Sequence, residues 1–204
     1  MLYISKNITG DEVSFYQQII PHMNIIFDVG TMKDTIFYDM NPIAEIHMFD
    51  PVPDYINVLK DKMKGKKHSM IFNNVGLGSK TETKDLHYRY GSIIKRDIPR
   101  FKDMHESYEV NIIRLDDYCK DKGVTEIDYL KIDTEGYDFE VIKGCGNMLD
   151  KIRFIQFEDF KIFYGGETKE DIFDYFEGWN IYLIGGRPKN YLATKETVNL
   201  KKIR

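Results

Sequence analysis

Alanine is almost missing from this chain of 204 residues, where it stands only at positions 44 and 193. No folding rule favours so little alanine, so we interpret the bias as the codon usage of an AT-rich genome, bacterial or of a large virus. Cysteine is also scarce, because Cys119 and Cys145 are too few for a disulfide framework and form no C-x-x-C motif. We therefore expect two buried thiols in a reducing compartment, the cytoplasm, or the host cytoplasm if the source is viral.

Long apolar runs and a large net charge are absent as well. No stretch approaches the roughly 18 apolar residues of a membrane span, and the first residues lack the basic and apolar regions of a signal peptide. The 29 Lys+Arg and 33 Asp+Glu residues give a net charge of −4, without the basic excess of nucleic-acid binders. We predict one domain over residues 1–204 that binds a small molecule or glycan, with neither a membrane span nor a nucleic-acid partner.

Strand and helix patterns alternate between residues 25 and 176. Short apolar runs predict strands at 25–29, 44–49, 69–75, 129–133 and 154–158, and periodic apolar residues predict helices at 53–63, at 137–143 and from 168 onward. This alternation predicts an α/β fold with a doubly wound parallel sheet. The runs at 179–184 and 191–194 are joined by six residues, too few for a helix, and predict an antiparallel hairpin.

Two segments fall outside this alternation. Residues 1–24 predict an N-terminal helical extension whose apolar face carries Val13, Tyr16 and Ile20. Residues 80–112 are polar and irregular, with only short alternating stretches such as 86–88 and 108–112. Because long irregular insertions in compact domains are more often functional than idle, we expect this one to face the substrate.

Glycine and acidic residues stand where the predicted strands end, and α/β sheets bind their ligands at that edge. Gly30 follows the first strand and lets the backbone approach a ligand closely. The amides of the next helix would then favour a carboxylate or phosphate. Asp50, 22 residues after Asp28, is placed to accept hydrogen bonds from both hydroxyls of a ribose. Asp133 and Glu158 end the fourth and fifth strands.

The dinucleotide fingerprint G-x-G-x-x-G is missing. Met32 and Lys33 stand where further glycines would be expected. A pyrophosphate therefore fits this loop poorly, and a smaller anionic group suits it better.

Six segments follow one another along the chain in a recognisable order. They are Phe27-Asp28-Val29-Gly30, Met48-Phe49-Asp50-Pro51-Val52-Pro53, Asn74-Val75-Gly76-Leu77-Gly78, Arg114-Leu115-Asp116-Asp117-Tyr118, Asp128-Tyr129-Leu130-Lys131-Ile132-Asp133-Thr134-Glu135-Gly136-Tyr137 and Ile155-Gln156-Phe157-Glu158. In this order they resemble the motifs of FkbM-type S-adenosylmethionine-dependent methyltransferases. The resemblance covers about residues 25–160 and implies a class I, Rossmann-like fold: a mostly parallel, seven-stranded sheet with one antiparallel edge strand.

The resemblance also implies a cofactor, S-adenosylmethionine, and the residues that hold it. Asp28, Gly30 and Thr31 would surround its methionine part, Asp50 would hold the ribose, Asn74 and Val75 would lie beside the adenine, and Asp133 would face the transferring methyl group. Asp34 stands where the family has glycine, so we expect it either to face away from the cofactor carboxylate or to reach the cofactor's amino group, with Lys33 as the nearest offsetting cation. Family members mostly methylate hydroxyl oxygens of sugars and secondary metabolites, and the fold often forms homodimers.

Two mechanisms are open for activating a sugar hydroxyl. Asp133, Glu135 and Glu158 supply carboxylates to one crevice, and because they raise one another's pKa, one of them suits a general base. Alternatively, Asp133, Glu158 and Asp159 hold a divalent cation, Mg or Mn, which lowers the pKa of the hydroxyl directly.

Two other functions compete with O-methyl transfer. A nicotinamide-dependent oxidoreductase shares the acid at the end of the second strand, but the missing glycines and the terminal hairpin disfavour it. A methyltransferase-like binding module without catalysis is favoured only by the altered loop 31–34.

Overall fold

The computed structural model describes residues 4–5, 12–66, 69–87, 107–159, 163–185 and 189–198. The strands are β1 (Ile4–Ser5), β2 (Ile25–Val29), β3 (Glu45–Phe49), β4 (Ser69–Asn73), β5 (Gly76–Leu77), β6 (Glu82–His87), β7 (Ser107–Ile113), β8 (Ile127–Ile132), β9 (Ile152–Glu158), β10 (Asn180–Gly185) and β11 (Asn190–Thr194). The helices are α1 (Glu12–Ile19), α2 (Phe37–Met40), α3 (Pro53–Met63), α4 (Leu115–Lys122), α5 (Asp138–Gly144) and α6 (Lys169–Tyr175), with 3-10 turns at Ile20–His22 and Gly146–Lys151.

Eight strands form the main sheet, in the order β1-β10-β11-β9-β8-β2-β3-β4. Strands β4, β3, β2, β8 and β9 are all parallel, and β11 runs antiparallel to both β9 and β10. The doubly wound, mostly parallel sheet and the terminal hairpin are thus confirmed. The two-residue β1 adds an eighth strand to the seven predicted. The antiparallel strand β11 is not the outermost strand, since it lies between β10 and β9, and β1 lies beyond β10.

Helices cover both faces of this sheet. One face packs against α1, α2 and α3, through residues such as Phe15, Phe37 and Leu59. The other face packs against α4, α5 and α6, through residues such as Tyr118 and Ile172. Among the helices that the structure describes, none is both long and apolar enough to cross a membrane.

Local sequence signals explain where these helices begin and which face they bury. Helix α3 begins at Pro53, whose fixed φ suits a first helical position, and it buries Ile56, Leu59 and Met63 at helical spacing. The N-cap of α6 is Thr168, whose backbone N–H donates to Asp171 at 2.7 Å. This capping box matches the predicted helix start.

The predicted apolar face of this N-terminal helix is confirmed at Tyr16 and Ile20, which are buried, and is wrong at Val13. Val13 is 49% exposed, whereas Phe15 and Tyr16 are buried. Aromatic packing decides which face is buried, because the Phe15 ring lies 6.3 Å from that of Tyr129 and the Tyr16 ring packs edge-on against Phe37. Aromatic pairs of this kind outweigh the burial of a single valine.

The two ends of the insertion at 80–112 form regular strands that are longer than the short alternating stretches predicted at 86–88 and 108–112. Strands β6 and β7 pair antiparallel and, with β5, form a separate three-stranded sheet. Leu86, Val110 and Ile112 of this sheet pack on Val52, two residues after Asp50. The stem of the insertion therefore lies against the loop that follows β3. Residues 88–106 between the two strands lie outside the described residues.

Candidate functional site

The candidate site lies where the carboxyl ends of five parallel strands meet. In register, Asp28 of β2 stands beside Lys131 of β8, and Val29 stands beside Phe49 of β3. Gly30, Asp50, Asn74 and Asp133 directly follow these strands or come one residue later, and Glu158 is the last residue of β9. The fold therefore brings most of the predicted site residues to one edge of the sheet.

Gly30 is the point of closest approach between two strand ends. Its φ is +82°, and a Cβ atom there would overlap the backbone carbonyl oxygen of Asp133. Its N–H donates to the carbonyl oxygen of Phe49 at 2.9 Å. A side chain is thus excluded both by conformation and by space, and Gly30 fixes the distance between the ends of β2 and β8.

The loop after Gly30 does not present the free amides that the sequence predicts. The N–H of Thr31 joins that of Gly30 on the Phe49 carbonyl, and the N–H of Met32 donates to Asp50 Oδ2 at 2.9 Å. Helix α2 begins only at Phe37, and the backbone N–H of Phe37 donates to Thr35 Oγ1. The expected anion site at a helix start is therefore absent from this part of the described loop, because neighbouring carbonyl and side-chain oxygens already accept these donors.

Met32 adopts a left-handed conformation with φ +52°, while its side chain is 54% exposed. This conformation costs a residue with a Cβ roughly 1–2 kcal/mol, and Met32→Gly removes that strain. Glycine also raises the conformational entropy of the unfolded chain, which offsets part of the gain. We therefore expect Met32→Gly to raise the free energy of unfolding by about 0.5 kcal/mol. Urea denaturation measures the change. Met32→Ala is the matched control: it removes the same side chain without relieving the strain, so it should not stabilise. Equal stabilities of the two variants would contradict this reading.

Asp50 is buried and bound by the backbone on both sides. Its Oδ1 accepts the N–H of Val52 and its Oδ2 accepts that of Met32, each at 2.9 Å. Burial raises the pKa of Asp50 to about 6, although both hydrogen bonds oppose the shift. Each oxygen keeps a second lone pair, so the carboxylate can still accept hydrogen bonds from a ligand.

Asn74 and Val75 lie beside Asp50 and on the wall of an open groove. The side-chain amide of Asn74 donates to the carbonyl oxygens of Asp50 and Pro51, at 3.1 and 3.0 Å. The groove measures about 700 Å³ and is lined by Phe72, Asn73, Asn74, Val75, Thr81, Asn111, Ile113, Asp117, Tyr118, Asp121 and Lys122. The ends of β3 and β4 are thus tied together next to a space large enough for a heterocyclic ring.

Asp133 is the most accessible acid at the end of β8. Its side chain is 42% exposed, and its Oδ2 accepts a hydrogen bond from Lys131 Nζ at 2.9 Å. Glu135 follows in a left-handed conformation with φ +55°. Such strain in a residue with a Cβ is common in functional loops, and here it sets the turn between β8 and α5.

Glu158 and Asp138 are the buried acids of the crevice. Asp138 accepts hydrogen bonds from Thr134 Oγ1 at 2.7 Å and from the backbone N–H of Glu158 at 3.2 Å. Burial raises the pKa of Asp138 to about 6. Burial, reinforced by Asp133 and Asp138, raises the pKa of Glu158 to about 8. Glu158 therefore carries a proton at neutral pH.

The raised pKa of Glu158 predicts how stability depends on pH. Because folding raises this pKa from 4.5 to about 8, the folded chain binds more protons than the unfolded chain, and stability falls as pH rises through this interval. Glu158→Gln should remove about 2 kcal/mol of the fall between roughly pH 6 and pH 9. Denaturation curves across this range measure it, with Glu170→Gln, an exposed position on α6, as the control. A fall as steep in Glu158→Gln as in the natural sequence would contradict the assignment.

The divalent-cation alternative finds no support in the arrangement of the acids. Within the described ranges, no three His, Cys, Asp or Glu side chains are placed to share a metal ion. Asp159 instead accepts from the hydroxyl of Tyr191 at 3.4 Å and lies 3.7 Å from Lys169 Nζ. The cation beside Asp133 is the ammonium of Lys131. Within the described residues Asp133, Glu158 and Asp159 are thus not gathered around one point, and the Mg or Mn site stays a prediction without structural support.

Lys33 and Asp34 both turn towards α3. Lys33 Nζ lies over the ring of Tyr55, 5.1 Å from its centroid. Asp34 is exposed and pairs with Lys62 at 3.0 Å. Asp34 therefore contacts the surface of α3, in keeping with the expectation that it faces away, and its offsetting cation is Lys62, not Lys33 as predicted.

Sequence reasoning missed the parts that Lys131 and Asp138 take in this site. Lys131 lies within the sequence motif at residues 128–137, but only the sheet register shows that it neighbours Asp28. For Asp138 a local signal existed, because Thr134 precedes it by four residues at the start of a predicted helix. A Thr–Asp pair at that spacing is a common way to close the loop before a helix.

Comparisons with known proteins agree with this geometry. The sequence model of the methyltransferase FkbM domain matches residues 28–183. The chain is 26% identical over 152 residues to the 2-O-methyltransferase NoeI of Sinorhizobium fredii, a match that spans 66% of this chain and 62% of that protein. It is 24% identical over 132 residues to the hexuronic acid methyltransferase AglP of Haloferax volcanii, spanning 65% of this chain and 54% of that protein. The chain thus covers less than two thirds of either relative. No solved structure matches it significantly.

Proposed function

Because the chain belongs to the FkbM methyltransferase family, we propose that it transfers a methyl group from S-adenosylmethionine to a hydroxyl oxygen of a sugar or glycan. The observation that carries this proposal is a pair of buried oxygens without hydrogen-bond partners, Asp28 Oδ1 and Thr31 Oγ1, on either side of Gly30. Buried polar atoms are nearly always hydrogen-bonded in native proteins. Two orphans at a strand-end crevice indicate a ligand that supplies the missing partners.

The residues at the crevice fit S-adenosylmethionine part by part. Asp28 Oδ1 can accept from an amino group. Gly30 lets the end of β2 lie against the backbone carbonyl of Asp133, which keeps Asp28 and Asp133 at the same crevice. Asp50 has lone pairs left for two ribose hydroxyls. Asn74 and Val75 border a groove of about 700 Å³, where the adenine would lie.

When bound, the cofactor supplies an activated methyl group, so the protein mainly has to align the acceptor oxygen and remove its proton. We assign the removal of this proton to Asp133, because its carboxylate is accessible and Lys131 Nζ, at 2.9 Å from Oδ2, holds the carboxylate in place. Glu158 is protonated at neutral pH and becomes a base only in alkaline solution. Glu135 follows Asp133 by two residues, in a left-handed conformation, and is the neighbouring carboxylate of the same loop.

The acceptor class is proposed from the relatives and from the position of the insertion. One relative is named a 2-O-methyltransferase and the other a hexuronic acid methyltransferase. The stem of the insertion packs on Val52, two residues after Asp50, so the described ends of the insertion stand beside the crevice. We propose that they select a sugar hydroxyl.

Ligand-dependent unfolding separates this function from the competing ones. A ligand that binds only the native state raises the melting temperature as its concentration rises. We expect S-adenosylhomocysteine to raise it and NAD to leave it unchanged. A shift with NAD alone would indicate an oxidoreductase, and no shift with either would contradict cofactor binding. Methyl-labelled S-adenosylmethionine with a panel of neutral and acidic sugars then tests turnover: binding without transfer to any acceptor would favour the non-catalytic module.

A further inference from the structure

Three polar residues interrupt an otherwise apolar row across the sheet. Asp28, Lys131 and Gln156 stand side by side in register on β2, β8 and β9, between Met48 and Leu192. Residues in register on neighbouring strands point to the same face of a sheet. Three adjacent polar side chains on a core-facing row are costly unless they serve one another or a ligand.

Gln156 is satisfied by the protein itself. Its side-chain amide donates to Glu12 of α1 and to Asn190, and its oxygen accepts from the hydroxyl of Tyr129. Helix α1 thus closes the row on this side. The remaining two members, Asp28 and Lys131, are the ones with bonding capacity left.

Lys131 is a cation with donors to spare. Its Nζ hydrogen bonds to Asp133 Oδ2 at 2.9 Å and lies 3.9 Å from Asp28 Oδ1, while 18% of its side chain is exposed. Burial disfavours the ammonium, but the charges of Asp28, Asp133 and Glu12 outweigh it and raise the pKa of Lys131. An ammonium has three N–H donors, and within the described residues the structure gives this one a single hydrogen bond.

Asp28 offers the opposite charge a few ångströms away. It is 3% exposed, and its Oδ1 has no hydrogen-bond partner. The distance of 3.9 Å to Lys131 Nζ is too long for a hydrogen bond between them. The pair is therefore open, and a ligand that carries both an ammonium and a carboxylate would satisfy both members.

The neighbouring loop leaves the carboxylate of such a ligand few other partners. The amides of Gly30, Thr31 and Met32 donate to Phe49 and Asp50, as described above. The side chain of Lys33 lies over the ring of Tyr55. Lys131 is the cation that the described part of the crevice provides.

We propose that Lys131 binds the carboxylate of the cofactor's methionine part. It would do so beside Asp28 Oδ1, to which the proposed function already assigns the amino group, so that the two side chains form a receptor for a zwitterionic amino-acid group. This inference rests on the proposed function. It gives Lys131 a binding role in addition to holding Asp133, and it replaces the anion site that the loop amides do not form.

Calorimetric titration with three ligands tests the receptor without knowledge of the methyl acceptor. S-adenosylhomocysteine carries the complete amino-acid group, its decarboxylated analogue lacks the carboxylate, and 5′-methylthioadenosine lacks the whole group. Lys131→Met should weaken the binding of S-adenosylhomocysteine about 10- to 100-fold, the range for a lost hydrogen bond to a charged group. It should change the other two affinities less than about threefold. Lys131→Arg should restore part of the loss, because it keeps the charge.

Lys195→Met is the matched control, since Lys195 forms a lysine–aspartate ion pair with Asp150 at the surface, at 2.6 Å. It should leave all three affinities unchanged. Equal weakening of all three ligands by Lys131→Met, or an unchanged affinity for S-adenosylhomocysteine, would overturn the receptor. If Lys131→Met does not fold, the natural protein still decides, because equal affinities for S-adenosylhomocysteine and its decarboxylated analogue would also overturn it. Failure of the natural protein to bind any of the three would refute the proposed function instead.

Discussion

Replacing Gly30 by alanine is expected to lower the free energy of unfolding by about 3 kcal/mol or more and to abolish binding of S-adenosylhomocysteine. The new Cβ would overlap the carbonyl oxygen of Asp133, and the backbone at φ +82° is unfavourable for any residue with a Cβ. Because the obstacle is backbone, the ends of β2 and β8 would have to separate. Asp28 and Asp133 would then lose the spacing on which the proposed site depends. Urea denaturation and calorimetric titration measure the two effects.

Gly65 provides a matched control for this substitution. Its φ is +81°, almost that of Gly30, but no heavy atom lies within 4 Å of a Cβ placed there. Gly65→Ala therefore carries the conformational strain without the collision, and we expect it to cost about 1 kcal/mol and to leave ligand affinity unchanged. A Gly30→Ala protein as stable as Gly65→Ala, with normal affinity, would show that the strand ends are not held at this distance.

Replacing Asp133 by asparagine is expected to lower the rate of methyl transfer by about 10²- to 10⁴-fold, the usual contribution of a general base. The substitution preserves shape and an oxygen that can accept from Lys131, so the affinity for S-adenosylhomocysteine should change less than about threefold. Single-turnover transfer from labelled S-adenosylmethionine to the acceptor found in the panel measures the rate. Asp150→Asn, at an exposed surface position, is the control. Unchanged turnover in Asp133→Asn would remove Asp133 from the role of base.

The sequence was sufficient for the features that depend on local pattern. The apolar runs that became β2, β3, β8 and β9 predicted a parallel sheet, and the short connection between β10 and β11 predicted a hairpin. Strand ends follow from strand positions, so the sequence alone placed Asp28, Asp50 and Asp133 at one edge of the sheet.

Features that depend on register and on packing between distant segments could not be predicted. The neighbourhood of Asp28 and Lys131 exists only because β2 and β8 pair in one register. The loop amides are occupied because β3 lies beside Gly30 and accepts them. The face that α1 buries is set by contacts between Phe15 and Tyr129, residues more than a hundred positions apart in the chain.

A crystal structure with S-adenosylhomocysteine bound tests the central claim most directly. The account predicts both ribose hydroxyls within hydrogen-bond distance of Asp50, the amino group on Asp28 Oδ1 and the sulfur at the crevice beside Asp133. A nucleoside bound elsewhere, with Asp28 Oδ1 and Thr31 Oγ1 still without partners, would contradict it.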